Sequence, residues 1–450
     1  MANQILLNAF AMNCMAHQSA GLWRHPRDRS REYYTLEYWL NVARTLERGL
    51  FDGLFLADVT GVYDVYGNSP ETALRTGMQV PTNDPFSIVP AMATVTQHLS
   101  FGITGSIPYE PPYAFARRMS TLDHLTGGRV AWNVVTGYLD SAAQGVGKKQ
   151  QTGHDTRYDI AEEYMAVVYQ LWESSWQDDA IKYDKVSGVF TDPDKVHSVS
   201  HRGEYFQLQA MHLCEPSVQR SPVIFQAGSS PKGQAFAARH AECVFIASNQ
   251  PSGAASMVRS LRAQAVAEGR RPEDLKIFAL LSVVVDESDS LAQAKLADYN
   301  QYGLPEGALA LMSGWSGIDL SQFALEQKAE NLNSEGMRSA LKGLGRRSVG
   351  EWAEFLTVGG GASVLVGSPA TVVDQMQEWM DAGVDGFNLA YTVMPECFED
   401  FVNLVVPELQ NRGLYKTTYA PGSMRHKLFH RGDRLSAPHP GANYRWASSD

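Results

Sequence analysis

No stretch of this chain holds the about 18 consecutive apolar residues that a membrane-spanning helix needs, so no membrane span is expected. Cysteine is scarce. Cys14, Cys214, Cys243 and Cys397 are the only four, and no pair has CxxC spacing. That excludes a zinc signature and fits a reduced, cytoplasmic compartment. The amino terminus, MANQILLNAF, lacks a basic n-region and a cleavage site, so no secretory signal is expected. Basic residues are outnumbered, 38 Lys and Arg against 49 Asp and Glu. The resulting net charge of -11 argues against a nucleic-acid surface. No strand-like run is followed by GxGxxG, so the dinucleotide fingerprint is missing. No GxSxG elbow supports serine hydrolysis either.

What is present is a large apolar fraction, 44% of 450 residues. That suffices for one large α/β barrel with insertions, or for two or three ordinary domains. Eight apolar runs read as strands: 6–10, 53–57, 101–105, 129–135, 222–226, 243–247, 277–285 and 386–390. Helical patterns lie between them. Over 112–125, Phe115, Met119 and Leu122 recur at i, i+4, i+7; over 36–48, Trp39, Ala43 and Leu46 do the same, and Gly49 supplies a stop. Strands alternating with helices favour parallel βα units, and eight of them suggest a TIM (β/α)8 barrel spanning 1–450 as a single domain. A doubly wound sheet is the rival. The Gly-rich VGGGASVLVG, 358–367, reads as a loop. Two segments are too long for ordinary connections and read as insertions, about 174–221 and 287–357. The first carries a strand-like Tyr205–Leu208, and the second is a candidate lid. The irregular tail, 413–450, is expected to wrap a subunit surface or a neighbour.

In a TIM barrel the site lies at the carboxyl ends of the strands. TGGRVAWNVVTG, 126–137, then has a purpose for its polar groups: Asn133 and Thr136 would stand at the floor of a pocket. The same position selects Asp58, Thr104, Ser106 and Ala227–Gly228–Ser229–Ser230. Small residues, hydroxyls and backbone amides at a helix start suit a phosphate, although a plain N-cap by Ser229 or Ser230 reads equally well. HDTRY, 154–158, opens a helical pattern in which His154 and Tyr158 face one way, unless Asp155 is simply its N-cap. Cys14 follows the first strand and is either inert core or a pocket group. Tyr63 and Gln79 lie in the connection after the second strand, and Trp315 in the candidate lid. No metal site is expected.

These motifs, taken together and in order, resemble a known family. NAFAMNCMAHQSAGLWRHP, FLADVTGVYDVY, VPTNDP, RRMSTLDHLTGGRVAWNVVT, HDTRYDIAEEYM, LWE, VIFQAGSSPKG and DGFNLAY are similar to the bacterial-luciferase-like flavin monooxygenases over about residues 4–445. The branch is that of nitrilotriacetate, dibenzothiophene-sulfone, dimethyl-sulfide and long-chain-alkane monooxygenases. The resemblance implies a luciferase-like TIM barrel that takes FMNH2 from a separate NAD(P)H-dependent flavin reductase. It implies that dioxygen is activated as a flavin peroxide and passed to a small organic substrate. It also implies a homodimer or homotetramer.

Carried over by motif, Asp58, Thr136 and Gly137 are expected near the flavin. Tyr158 and Ala227, Gly228, Ser229 and Ser230 are expected at its phosphate, with Thr104 and His154 as further contacts. Cys14, Tyr63 and Gln79 match pocket residues of the alkane type. No protein nucleophile is needed, so Cys14, Tyr138 and His154 are expected to tune or position. The chain departs from the alkane-type pattern where Tyr138 replaces a histidine, and again where Leu311 and Met312 stand in a histidine-bearing region. Both changes look closer to the dimethyl-sulfide type. Three readings stay open: a two-component FMN monooxygenase, including one that degrades riboflavin; a deazaflavin-dependent oxidoreductase; and a non-catalytic flavin binder.

Overall fold

A computed structural model describes residues 4–328 and 347–446. Eight strands form the barrel: β1 (Leu6–Met12), β2 (Gly53–Ala57), β3 (Ser100–Ser106), β4 (Val130–Val135), β5 (Val223–Gln226), β6 (Cys243–Ile246), β7 (Lys276–Val285) and β8 (Gly386–Ala390). Each pairs in parallel with the next, and β8 pairs with β1, so the sheet closes. These are the eight apolar runs of the sequence, and the fold is the expected TIM barrel. Every barrel strand is buried on both faces, which is why each reads as a near-continuous apolar run.

Helices named below are α1 (Leu36–Arg48), α2 (Pro112–Thr126), α3 (His154–Tyr169), α4 (Pro231–His240), α5 (Pro251–Ala267), α6 (Pro305–Ser316) and α7 (Pro369–Asp381). In α1 the apolar stripe Trp39, Val42, Ala43 and Leu46 is buried, and Thr35 caps its start by accepting the Tyr38 N–H. α2 buries Phe115, Met119 and Leu122 as their spacing requires. α3 starts at His154 with Gly153 as its N-cap, so Asp155 lies inside the first turn and does not cap it.

One expectation is corrected. Ser363–Gly367, read as loop, forms a parallel strand on β7. β7 is ten residues long. Its first half pairs with β8 and its second half, Leu281–Val285, outruns the barrel and takes up Ser363–Gly367. Gly359, Gly360 and Gly361 do form a turn, all at positive φ, just before it.

Phenyl rings fill the barrel interior. Phe55 lies 4.8 Å from Phe10, 5.7 Å from Phe225 and 4.7 Å from Phe245, and Phe245 lies 5.3 Å from Phe278. The tail folds back beneath them: Met424 and Leu428 join this cluster. Buried Arg425 holds the tail there, its Nε donating to Glu242 Oε1 at 2.7 Å. Insertion 174–221 forms two antiparallel hairpins, Ile181–Asp184 with Val189–Thr191 and Val199–Arg202 with Gln207–Ala210. The expected strand thus begins two residues later than Tyr205. Within 287–357, residues 329–346 lie outside the described residues, as do 447–450 of the tail. No described helix is long and apolar enough to cross a membrane.

Candidate active site

The residues that follow β2 to β5 meet at the carboxyl mouth of the barrel, around a cavity of about 510 Å³. Asp58 comes from the end of β2, Thr104 and Ser106 from β3, and Thr136, Gly137 and Tyr138 from the end of β4. Gln226 and Ala227, Gly228, Ser229 and Ser230 come from the end of β5. The first turns of α3 add His154, Arg157 and Tyr158, and the last turn of α6 adds Trp315.

The floor is held by a cross-strand ladder. Thr104 and Asn133 are register partners on β3 and β4. Asn133 Nδ2 donates to Thr104 Oγ1 at 2.9 Å, and Thr104 Oγ1 donates to the Leu56 carbonyl on β2 at 3.0 Å. Asn133 Oδ1 is buried without a hydrogen-bond partner among the described residues. An amide in the middle of an apolar strand therefore ties three strands together beneath the cavity and leaves one acceptor lone.

One wall gathers a helix start, hydroxyls and a guanidinium. Ser230 is the N-cap of α4, its Oγ accepting the Gly233 N–H at 3.1 Å. Gln226 Oε1 accepts the Gly228 N–H at 2.6 Å, which bends the chain after β5. A Cβ on Gly228 would stand 2.4 Å from Gln226 Nε2 and 2.9 Å from the Tyr158 hydroxyl, so only glycine lets these groups converge. Tyr158 has its pKa raised, burial being the largest cause. Arg157 lines the same wall. Its guanidinium donates to the Thr152 carbonyl at 2.6 Å, its Nε is buried without a partner, and no carboxylate pairs with it among the described residues. Burial lowers its pKa, the mark of a cation whose charge is not compensated. His154 turns to Asp155, 2.7 Å away, and packs its ring 5.2 Å from Tyr158.

The other wall is more apolar: Val59, Leu139, Ala142, Trp315 and the Tyr138 ring. Here the Tyr138 hydroxyl lies 2.5 Å from that of Tyr63. Tyr63 donates to Gln79 Oε1 at 3.0 Å and accepts from Trp315 Nε1 at 3.2 Å, while Gln79 Nε2 donates to the His17 carbonyl at 2.7 Å. Burial pushes Tyr138 up to about 12, so its hydroxyl keeps its proton at neutral pH. A Cβ on Gly314 would stand 2.0 Å from the Tyr63 ring, so glycine on α6 is what admits Tyr63 to its place. No cation stands beside Asp58 among the described residues. Burial, then the charges of Asp84 and Glu110, raise it to about 7.

Known proteins match this closed parallel barrel over nearly its whole length. The luciferase-like monooxygenase family profile covers residues 10–386. The chain is 51% identical to the dimethyl-sulfide monooxygenase of Hyphomicrobium sulfonivorans, over 99% of this chain and 94% of that protein. It is 47% identical to the long-chain alkane monooxygenase of Geobacillus thermodenitrificans over the full length of both. A crystal structure from Hyphomicrobium sulfonivorans superposes with a TM-score of 0.95 at 51% identity, over 98% of this chain and 96% of that one. This chain belongs to the luciferase-like monooxygenase family. It is a flavin-dependent monooxygenase.

In this monooxygenase Asp58, Thr104, Thr136, Gly137, Tyr138, His154, Tyr158, Ala227, Gly228, Ser229, Ser230 and Trp315 all reach the cavity wall. Four sequence-selected residues stand behind it. Asn133 supports Thr104 from below, and Tyr63 and Gln79 support Tyr138. Cys14 is buried, with its thiol pushed well up by burial, which makes it a poor nucleophile. Burial lowers nearby His17 to about 3, so it is neutral. Leu311 is core on α6 and Met312 packs beside it. Sequence reasoning passed over Arg157, Gln226 and Tyr109. Arg157 falls one helical turn after His154 and one residue before Tyr158, and Gln226 is the last residue of the strand before Ala227; both were legible as neighbours of chosen residues.

Proposed function

We propose that this monooxygenase binds reduced FMN, delivered by a separate NAD(P)H-dependent reductase, and with dioxygen oxygenates a small uncharged organic substrate. One observation carries the flavin assignment: the Arg157 guanidinium, with no carboxylate partner among the described residues, stands on the same cavity wall as Tyr158, Ser229, Ser230 and the start of α4. A phosphate monoester is a dianion near neutral pH. Arginine, hydroxyls and a helix N-terminus are the groups that hold one without a large basic patch. The residues present therefore fit the group. Arg157, Tyr158, Ser229 and Ser230 would hold the phosphate, and Gly228 leaves the space for it. Thr104, Thr136, Gly137 and Asp58 would line the ring system. Bound reduced flavin supplies the electrons that reduce dioxygen. The missing GxGxxG fits delivery of that flavin by another protein.

The chain's own part is to bind, orient and keep water out. Trp315 and Tyr138 close one side, and Phe236 the other. The Tyr63–Tyr138–Trp315 cluster fixes the aromatic wall against which a substrate rests. Val59, Leu139 and Ala142 add no charge to that wall. An aminopolycarboxylate would meet no cation there, whereas a sulfide or a hydrocarbon gives up little hydration. The two relatives above act on dimethyl sulfide and long-chain alkanes by name, which supports this class.

The test is an anaerobic tryptophan-fluorescence titration with reduced FMN, then mixing with oxygenated buffer and dimethyl sulfide, short and long alkanes, nitrilotriacetate or riboflavin. Saturable binding, slowed flavin reoxidation and oxygen-dependent loss of a sulfide or alkane are expected. Reoxidation at the rate of free flavin would overturn the proposal, as would preference for a reduced deazaflavin. Turnover of a charged substrate alone would overturn the substrate class.

A further inference from the structure

The amino-terminal mouth of the barrel, opposite the flavin site, holds a second cavity of about 670 Å³. Lys276, Lys416 and Lys427 line it, and Asp52 and Asp385 face them. Each aspartate already accepts two hydrogen bonds on one carboxylate oxygen. Asp52 accepts the Leu7 N–H and Lys416 Nζ, each at 2.8 Å. Asp385 accepts the Ile277 N–H at 2.9 Å and Arg262 at 3.0 Å, and stands 3.7 Å from Lys276. That leaves Lys427 without a carboxylate among the described residues. Its Nζ donates only to the His98 carbonyl, at 2.8 Å.

Other cations crowd it. Lys427 and Lys416 lie 5.7 and 6.0 Å from the centroid of one ring, that of Tyr419. Arg129, buried close by, bonds only to neutral oxygens: Thr126 O, Thr96 Oγ1, Leu99 O and Ala93 O. Glu47 spends its carboxylate on the N–H groups of Gln97, His98 and Leu99. Burial, followed by repulsion from Arg129, lowers Lys427 to about 8; Asp52 and Glu47 pull the other way, and Lys416 adds a smaller repulsion.

We propose that this cavity is a binding site for a small multivalent oxyanion of the phosphate class, held by Lys427 and Lys416 with Lys276 across from them. Like charges in a partly dry space repel, and a dianion between them turns repulsion into charge-assisted hydrogen bonds. Lysine suits this ligand as a compact, strongly hydrated point charge. The geometry gives the anion a structural effect. Lys416 and Lys427 belong to the tail that crosses the barrel floor, whereas Lys276 begins β7. An anion bound to all three ties the tail to the barrel.

The test is thermal unfolding of the full chain in rising inorganic phosphate against chloride at matched ionic strength. Phosphate also fits the flavin site, so Arg157→Gln is run in parallel. A saturable rise in Tm with phosphate, absent with chloride and kept in Arg157→Gln, is expected. Lys427→Gln should raise the half-saturating phosphate concentration about tenfold, the loss of one charge-assisted hydrogen bond. An equal rise in chloride overturns the proposal. So does a rise that vanishes in Arg157→Gln and persists in Lys427→Gln. Should Lys427→Gln fail to fold, phosphorus-31 line broadening of phosphate on the FMN-saturated wild type decides, since no broadening then means no second site. Adenosine monophosphate in place of phosphate separates the sources: tighter binding assigns the site to a monoester, weaker binding to the free anion, and either upholds it.

Discussion

The hydroxyls of Tyr63 and Tyr138 lie 2.5 Å apart, although the residues are 75 positions apart in the chain. Tyr63 is completely enclosed and reaches Tyr138, Gln79 and Trp315 at once. It is the hub that gives the apolar wall its shape. Tyr63→Phe removes that hub, leaving Gln79 Oε1 and the Trp315 N–H without their partner. Oxygenation per flavin oxidised should fall about tenfold, with hydrogen peroxide rising in its place. Affinity for reduced FMN should change less than about twofold, because the anion wall is untouched. Equal coupling in the variant and the wild type would remove the positioning role.

Arg157 should matter for the phosphate alone. Arg157→Ala is expected to weaken reduced FMN by about tenfold to a hundredfold, the range for a hydrogen bond to a charged group. Reduced riboflavin, which has no phosphate, should bind both proteins alike. A parallel loss for riboflavin would show that the variant had damaged the cavity as a whole.

Gly228→Ala tests the cradle by volume. The new methyl would meet Gln226 Nε2 at 2.4 Å, the Tyr158 oxygen at 2.9 Å and the Gly233 Cα at 3.0 Å. The glutamine tip can turn aside, but the α4 backbone cannot. Reduced FMN should bind about tenfold more weakly, and unfolding should cost about 1–3 kcal/mol less, the usual range for overpacking. Titration and melting of the same preparation measure both.

Asp58 should make stability depend on pH. Its folded value, about 7, is above the ordinary 3.8, so the folded state binds a proton that the unfolded state has released. Its contribution is full below about 3.8 and is lost as pH rises toward and through about 7. Asp58→Asn should therefore be more stable than wild type at pH 8, by about 1–2 kcal/mol after allowing for water in the cavity, and nearly equal at pH 4. If reduced flavin binds as proposed, its anionic form adds to the repulsion, so its affinity for the wild type should also fall above pH 7 and stay flatter in Asp58→Asn. Identical pH profiles for the two proteins would count against a buried, charged Asp58.

Much of the barrel was legible because burial on both faces writes a strand as an unbroken apolar run, and β1 to β8 each carry one. The anion wall was legible for a local reason as well. Ser230 and Gly228 stand at a strand end and a helix start, and Tyr158 sits in the first turns of α3, so chain position alone places them near the mouth. Ser363–Gly367 was not legible, because its strand depends on β7 running past the barrel edge, which no residue in either segment announces. The place of Arg157 at the mouth was legible beside Tyr158, but that no carboxylate pairs with it among the described residues was not. An arginine near acidic residues reads as an ion pair, and only the fold shows that Asp155 turns to His154 and Asp159 to Lys232.

The order of the strands, the helix starts and the lack of a nucleotide fingerprint were determined by the sequence itself, since each rests on neighbours within one or two turns of chain. The tertiary structure alone decided which groups are short of a partner. Among the described residues, Arg157 without a carboxylate, Asp58 without a cation, Lys427 without a carboxylate and Tyr63 against Tyr138 are all relations across the barrel. Their charge and protonation are set by what closure removes from water and what it brings within a few ångströms, and neither is encoded in any short stretch of residues.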